Sequence, residues 1–305
     1  MKTKNADFIW FDGEFKSWES VNVPITTHAL HYGTSVFEGI RGYSNGNNLF
    51  IFKLREHIKR LIQSAEMYSI NPKYSLDDIC SYVIQLLRKN NIKESCYIRP
   101  LLFVGLHGID LNVNMESPTH LAIIAFPFSR YFPESGIRTC ISSWRRINGN
   151  STPPMAKAGG NYLNSILATQ ECKRTGYDES ILLDCNGNVS EAPGENIFVV
   201  RNNKIYTPSL SDSILEGITR DTAITLAKNL GYEVYERTIT RSELYMADEI
   251  FVTGTAAEIT SVIGVDNHVI GGGLVGEITK QISGFYQKMV ISEVSQFREW
   301  LTSVW

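Results

Sequence analysis

Apolar and polar positions along the chain follow two periods in turn, and the change of period marks its elements. Phe8-Ile9-Trp10-Phe11, the turn signal Asp12-Gly13 and the stretch Glu14 to Trp18 predict a β-hairpin. From Leu54 to Tyr68, apolar residues recur at Ile58, Leu61, Ile62, Ala65 and Tyr68, the stripe of one helix face. Ser75, with Asp78 three residues on, is the expected N-cap of a second helix that runs to about Asn90. Strands are expected over Cys96–Val104 and His120–Phe128, so this half reads as α+β.

Pro127, Pro133 and Gly136 break the pattern, and an interdomain linker is placed at 127–138. It separates a smaller N-terminal α/β domain, 1–126, from a larger C-terminal domain, 139–305. The second half opens with a strand from Ile137 to Trp144 and a loop holding Pro153-Pro154 and Gly159-Gly160. A helix from Asn161 to Arg174 ends before Gly176, a residue suited to the left-handed cap. Short strands are expected at Ser180–Leu183 and Asn196–Arg201, with turns at Asn186-Gly187 and Asn202-Asn203. A helix from Ile218 to Leu230, capped by Gly231, precedes strands at Glu249–Thr253 and Ile259–Val265. The pattern ends in a helix over about Glu277–Phe297.

Composition narrows the function classes. With 305 residues, 43% hydrophobic and 20% charged, the chain has the make-up of a globular protein large enough for two cores. A formal net charge of −3 provides no basic field for nucleic acid or anionic lipid. No run approaches the roughly 18 apolar residues of a membrane span, and Leu121–Phe128 is only strand-sized. Lys2 and Lys4 are followed by no apolar stretch, so no secretory signal is expected. The five cysteines, Cys80, Cys96, Cys140, Cys172 and Cys185, are scattered and never spaced C-x-x-C. They point to reduced thiols and a cytoplasmic location, and leave the Asn150-Ser151-Thr152 sequon a chance match.

Three constellations carry candidate chemistry. Lys157 stands among Pro154, Met155, Ala156, Ala158, Gly159 and Gly160, just before a helix. Small, rigid neighbours are what a Schiff-base lysine needs, because a flat cofactor must stack close and the amine must be partly desolvated. Tyr162 adds a phenol nearby in sequence. Ser190 to Phe198 contains Glu191 and Glu195 around a Pro193-Gly194 break. A carboxylate there suits a pyridine nitrogen, since the ion pair keeps the ring protonated and electron-withdrawing. Gly217-Ile218-Thr219 at a helix start, and Thr253-Gly254-Thr255-Ala256-Ala257 after a strand, offer open backbone N–H groups to a phosphate. Each of these alone also reads as an ordinary loop or cap.

Together and in order, these segments resemble the fold-type IV pyridoxal-phosphate enzymes, and most closely the branched-chain amino acid aminotransferases. The resemblance also takes in His28 to Arg41, Arg55 to Leu61 and Tyr97-Ile98-Arg99-Pro100. It implies a two-domain fold whose C-terminal domain is a pseudo-barrel carrying the cofactor lysine. The cofactor would be pyridoxal 5'-phosphate, linked to Lys157, with Tyr162 on its phenolic oxygen, Glu191 on its ring nitrogen and Leu215 against its face. Arg60, Gly217, Ile218, Thr219 and Thr255 would hold the phosphate.

The same resemblance gives the substrate pocket walls of Tyr32, Phe37, Phe128 and Tyr131, with Gly39 leaving room and Arg41 at the rim. Arg99 would take the side-chain carboxylate of glutamate. Tyr97 with the Thr255-Ala256-Ala257 backbone would meet the α-carboxylate. The implied reaction exchanges an amino group between leucine, isoleucine or valine and 2-oxoglutarate, in a homodimer or higher homo-oligomer. D-amino acid transaminases, (R)-amine transaminases and aminodeoxychorismate lyase share the lysine and glutamate logic and are the alternatives. The chain departs from the pattern at Pro193, at Phe128 and in the Gly105–Asn112 loop. No metal is implied: His28-x-x-His31 lacks an evident third ligand. Gly271 to Gly276 satisfies G-x-G-x-x-G but has no room for a following βαβ unit, so it reads as a loop.

Overall fold

In the computed structural model, which describes residues 6–305, Asp12 and Gly13 both take positive φ, 48° and 95°. That geometry matches the twist of a two-residue hairpin, and Phe8–Phe11 pairs antiparallel with Glu14–Ser17. Lys2 and Lys4, weighed against a secretory signal, lie outside the described residues. The hairpin forms one edge of an antiparallel sheet. From the other edge the order is Leu301–Ser303, Leu49–Phe52, Ile40–Ser44, Cys96–Val104, Thr119–Pro127 and then the hairpin, with Ser35–Phe37 also paired to Cys96–Val104.

Two helices pack on each other and on this sheet. Leu54–Glu66 buries Leu54, Ile58, Leu61 and Ala65, and Leu76–Lys89 buries Ile79, Val83, Leu86 and Leu87. Each large aliphatic side chain among them, taken from water, contributes about 1.5–3 kcal/mol. Ser75 begins the second helix with a reciprocal cap: its hydroxyl accepts from the Asp78 N–H at 3.2 Å, and its own N–H donates to the Asp78 carboxylate at 3.0 Å.

The second sheet runs Glu233–Glu236, Lys204–Thr207, Asn196–Arg201, Glu249–Gly254, Glu258–Val265, Ile137–Arg145 and Glu179–Leu183. Its middle is antiparallel and its ends parallel. Parallel neighbours need a crossover. The helices Tyr162–Arg174 and Ile218–Asn229 lie in the connections between two such pairs. Ile197, Val199, Ile250 and Val252 bury one face, while Phe198 and Phe251 stack at 4.7 Å on the other.

Contacts divide the chain into two compact units, and the division differs from the expected linear one. One unit takes the chain through Ser129 and adds Ala156–Gly160 and Met289–Trp305; the other holds Arg130–Met155 and Asn161–Lys288. The lysine segment therefore belongs with the N-terminal half. Ala158 bridges to Val36, and the Phe37 N–H donates to the Lys157 carbonyl at 3.0 Å. The last helix is Glu277–Val290 and stops short of Phe297. Beyond its apolar stripe of Ile278, Ile282, Tyr286 and Met289, the chain reverses at Ser292, with φ 63°, and Leu301–Ser303 becomes a sheet edge. Gly271, Gly272 and Gly273 form a short turn with φ of 57°, 69° and 77°, a run of left-handed conformations suited to glycine. All five cysteines are free thiols, four buried and Cys185 exposed. No described helix is long and apolar enough to cross a membrane.

Candidate active site

In the N-terminal unit, Lys157 is half-buried and held by its backbone at both ends. Its N–H donates to the Ser64 hydroxyl at 3.0 Å, its carbonyl accepts from Phe37, and its Nζ lies 5.2 Å from the centre of the Phe37 ring. The small residues around it are required by packing. A Cβ on Gly159 would stand 2.4 Å from the Ser35 hydroxyl, and one on Gly33 would stand 3.1 Å from the Gly160 Cα.

The Cys96–Val104 strand turns alternate residues to one side, which puts Tyr97 and Arg99 on the same face. Arg99 donates from Nη2 to the Tyr97 hydroxyl at 2.9 Å, and its guanidinium sits 4.6 Å from the Phe37 ring. Arg99 Nε is buried with no hydrogen-bond partner among the described residues. Arg41 lies opposite Tyr97 in the register, 5.0 Å from the Phe128 ring and 4.9 Å from Tyr43. The room expected at Gly39 is used within the protein: a Cβ there would meet the Tyr97 hydroxyl at 2.0 Å. Tyr32 stands apart from this group, exposed, with its hydroxyl donating to the Ile109 carbonyl at 3.1 Å. His28 bonds the Thr34 hydroxyl and the Asp110 carbonyl, while His31 bonds the Ile25 carbonyl.

Arg60 is tied to a partner that sequence reasoning missed. Its Nε and Nη2 reach the two oxygens of Glu38 at 2.6 and 2.9 Å, and His57 Nδ1 reaches Glu38 Oε2 at 2.7 Å. Burial pushes the Glu38 carboxyl up, but the Arg60 and His57 charges and hydrogen bonds outweigh it and hold it well below the usual carboxylate range. An ionised carboxylate only accepts, so His57 donates from Nδ1. Burial leaves the imidazole below its ordinary value despite Glu38.

Both shifts favour the fold at neutral pH. The unfolded chain takes up a proton at His57 below about 6.5, and at Glu38 below about 4.3, that the folded chain resists. Thermal melts are therefore expected to lose midpoint as pH falls from 7 through 4. A midpoint unchanged over that interval would contradict this reading.

In the other unit, Glu191 is buried at the centre of a donor set. Arg146 Nε donates to Oε1 at 2.8 Å; Asn196 Nδ2 and the Leu215 N–H donate to Oε2 at 3.1 and 3.0 Å. Asn164 accepts from Arg146 at 3.3 Å, which adds the Tyr162–Arg174 helix to the network. No motif marks Arg146 or Asn164, and Asn196 lies within the Ser190–Phe198 stretch without an expected role.

Gly217 caps the Ile218–Asn229 helix, and a Cβ on it would lie 1.9 Å from Asn196 Oδ1. The N–H groups of that first turn lack intrahelical acceptors, as at any helix start. Thr255-Ala256-Ala257 forms the turn between two paired strands, and a Cβ on Gly254 before it would stand 3.0 Å from the Gly194 carbonyl. Tyr162 opens its helix, half-buried. Tyr131 is exposed and packs on Phe132 at 4.5 Å.

Within the first unit stands a lysine among glycines and alanines; within the second stand a carboxylate that accepts from Arg146, Asn196 and the Leu215 N–H, and, separately, a helix start. These are the parts that a flat, phosphorylated cofactor requires. The chain belongs to the amino-transferase class IV family, whose pattern matches residues 35–265. Within it the similarity is to branched-chain-amino-acid aminotransferases: that of Escherichia coli (strain K12) is 46% identical over 308 residues, covering 100% of this chain and 99% of the relative. The crystal structure of the branched-chain aminotransferase from Thermoproteus uzoniensis with norvaline matches with a TM-score of 0.95 and 43% identity, over 98% of this chain and 100% of that one. That of the branched-chain amino acid aminotransferase from Thermobaculum terrenum, in its PLP (holo) form, matches with a TM-score of 0.93 and 38% identity, over 99% of each chain. Class IV aminotransferases use pyridoxal 5'-phosphate, and the Lys157 and Glu191 surroundings described above fit that group.

Proposed function

We propose that the chain transfers amino groups between the branched-chain L-amino acids leucine, isoleucine and valine and 2-oxoglutarate, giving branched-chain 2-oxo acids and L-glutamate. The observation that carries this reading is Arg99. Its guanidinium is stacked beside Phe37 and bonded to Tyr97, with one buried nitrogen still lacking a hydrogen-bond partner among the described residues. An aromatic wall accepts a branched apolar side chain, while a recessed arginine accepts the side-chain carboxylate of glutamate. A pocket with both features serves the two half-reactions of a ping-pong exchange.

Pyridoxal 5'-phosphate, when bound, supplies an aldehyde that takes up the substrate amine and a protonated ring that accepts the electron pair left when the α-proton departs. Lys157 would anchor it, and its Nζ would then act as base and acid, taking the α-proton and returning it to the cofactor's aldehyde carbon on the far side of the substrate nitrogen. Glu191 holds the ring-nitrogen proton, and Arg146, Asn196 and the Leu215 N–H keep the carboxylate ionised and aimed. Tyr162 serves the phenolic oxygen, and Leu215 packs on the ring. Arg60, Gly217, Ile218, Thr219 and Thr255 hold the phosphate. The α-carboxylate would meet Tyr97 and the Thr255-Ala256-Ala257 turn, while Phe37, Arg41, Phe128 and Tyr131 would shape the side-chain pocket.

Arg99→Ala is expected to lower kcat/KM for glutamate and 2-oxoglutarate roughly a hundredfold, with leucine changed less than about threefold, the scale of a charge pair lost from a dry pocket. Equal losses for the two substrate classes would refute the role. A coupled assay of 2-oxoglutarate with L-leucine, L-isoleucine, L-valine, D-leucine, D-alanine and an (R)-amine tests the reaction itself. Turnover of the D- or (R)-substrates in preference to the L-amino acids would overturn it.

The enzyme is further read as a cytoplasmic homodimer or higher homo-oligomer. Ile25, Leu30, Leu106, Ile109 and Leu111 are more than half exposed on two segments, 25–30 and 106–111, joined by a Thr27–Leu106 bridge and the Tyr32–Ile109 hydrogen bond. Such a grouped apolar surface favours a partner over water. Sedimentation at the monomer mass at micromolar concentration would contradict the assembly.

A further inference from the structure

We propose that Glu38, braced by His57, is the positioning residue for Arg60, fixing the plane and heading of its guanidinium for the cofactor phosphate. This rests on the reading of Arg60 as a phosphate ligand. Glu38 is fully buried, and an acid in that position is costly unless every lone pair is used. Its oxygens accept from Arg60 Nε and Nη2, from His57 Nδ1, and from the Gly39 N–H at 3.2 Å.

A side-on pair through Nε and Nη2 locks both the plane and the rotation of a guanidinium. The backbone of Glu38 is itself fixed, since its N–H donates to the Pro100 carbonyl at 2.9 Å on the strand that carries Tyr97 and Arg99. A plain surface arginine needs none of this.

The helix adds a second constraint. His57, Arg60 and Ser64 are spaced three and four residues apart on Leu54–Glu66, so they share one face. Ser64 accepts the Lys157 N–H, Arg60 is held by Glu38, and His57 braces Glu38. One helix face therefore ties the lysine backbone and the arginine to a common frame. Glu38 sets the heading of Arg60 within that frame.

The test compares full-length apoenzyme titrated with pyridoxal 5'-phosphate and with pyridoxal, which lacks the phosphate, by tryptophan fluorescence. Glu38→Gln is expected to weaken the phosphorylated ligand about tenfold to a hundredfold while leaving pyridoxal within about twofold, the scale of charged hydrogen bonds. Arg60→Ala should lose at least as much, and the double variant no more than Arg60→Ala alone, because Glu38 acts through Arg60. Should Glu38→Gln fail to fold, Glu38→Asp keeps the charge but is one methylene too short for the fork, and the same phosphate-specific loss is expected.

Equal weakening of both ligands by the Glu38 variants, or none for either, would overturn the positioning role. An Arg60→Ala variant that keeps the wild-type preference for the phosphorylated ligand would instead overturn the reading of Arg60 beneath it.

Discussion

Lys157→Ala is expected to remove at least about a thousandfold of turnover with every amino donor, since one amine serves as both anchor and proton carrier. The purified variant should also lack the near-ultraviolet to blue absorbance of the anchored cofactor. The fold should survive, because the segment is held by backbone bonds that alanine keeps: the N–H to Ser64 and the carbonyl from Phe37. Circular dichroism and the thermal midpoint check this. A variant with wild-type absorbance and more than roughly a tenth of the activity would refute the assignment, given that scale.

Glu191→Gln is the second large effect. Both carboxylate oxygens receive donors, Arg146 on one and Asn196 with the Leu215 N–H on the other. A glutamine must turn its NH2 toward one of those donors, and it cannot hold a proton on a ring nitrogen by charge. Losing one preorganised group that stabilises charge developing in the transition state costs about 2.7–4 kcal/mol, so kcat should fall roughly a hundredfold to a thousandfold. The Lys157 linkage should still form. Single-turnover kinetics with L-leucine separate chemistry from binding. A rate within about threefold of wild type would contradict the role, given the same scale.

The two predictions draw on residues the sequence marks very differently from their supports. Lys157 and Glu191 stand in local motifs and are legible. Their surroundings are not: Glu38 lies within the His28–Arg41 stretch with no role of its own, and Arg146 falls outside every motif. What makes them matter is pairing across long stretches of chain, to Arg60 and to Glu191. Local period and propensity carry no record of such pairing. The i, i+3 spacing of His57 and Arg60 is the available hint, and it points only to a shared helix face.

The same distinction holds for the fold. Helices such as Leu54–Glu66 and Leu76–Lys89 are long, striped and, at Ser75, capped, so their pattern is read directly. Leu49–Phe52 is four residues long and buried on both sides, which leaves no alternation to detect. Glu233–Glu236 is polar and mostly exposed, and exists because Lys204–Thr207 offers a parallel edge. The sequence extends the final helix too far because Ile291 and Val294 continue its apolar content, although the chain there reverses at Ser292. The grouping of Ala156–Gly160 with the N-terminal half depends on bonds to Val36, Phe37 and Ser64, which no linear division of the sequence foresees.

Reduction of the holoenzyme with borohydride, followed by proteolysis and mass mapping, tests the central assignment most directly. The stable phosphopyridoxyl group is predicted on the peptide containing Met155-Ala156-Lys157-Ala158-Gly159, at Lys157 and nowhere else. A label on another lysine, or none after saturation with pyridoxal 5'-phosphate, would contradict it.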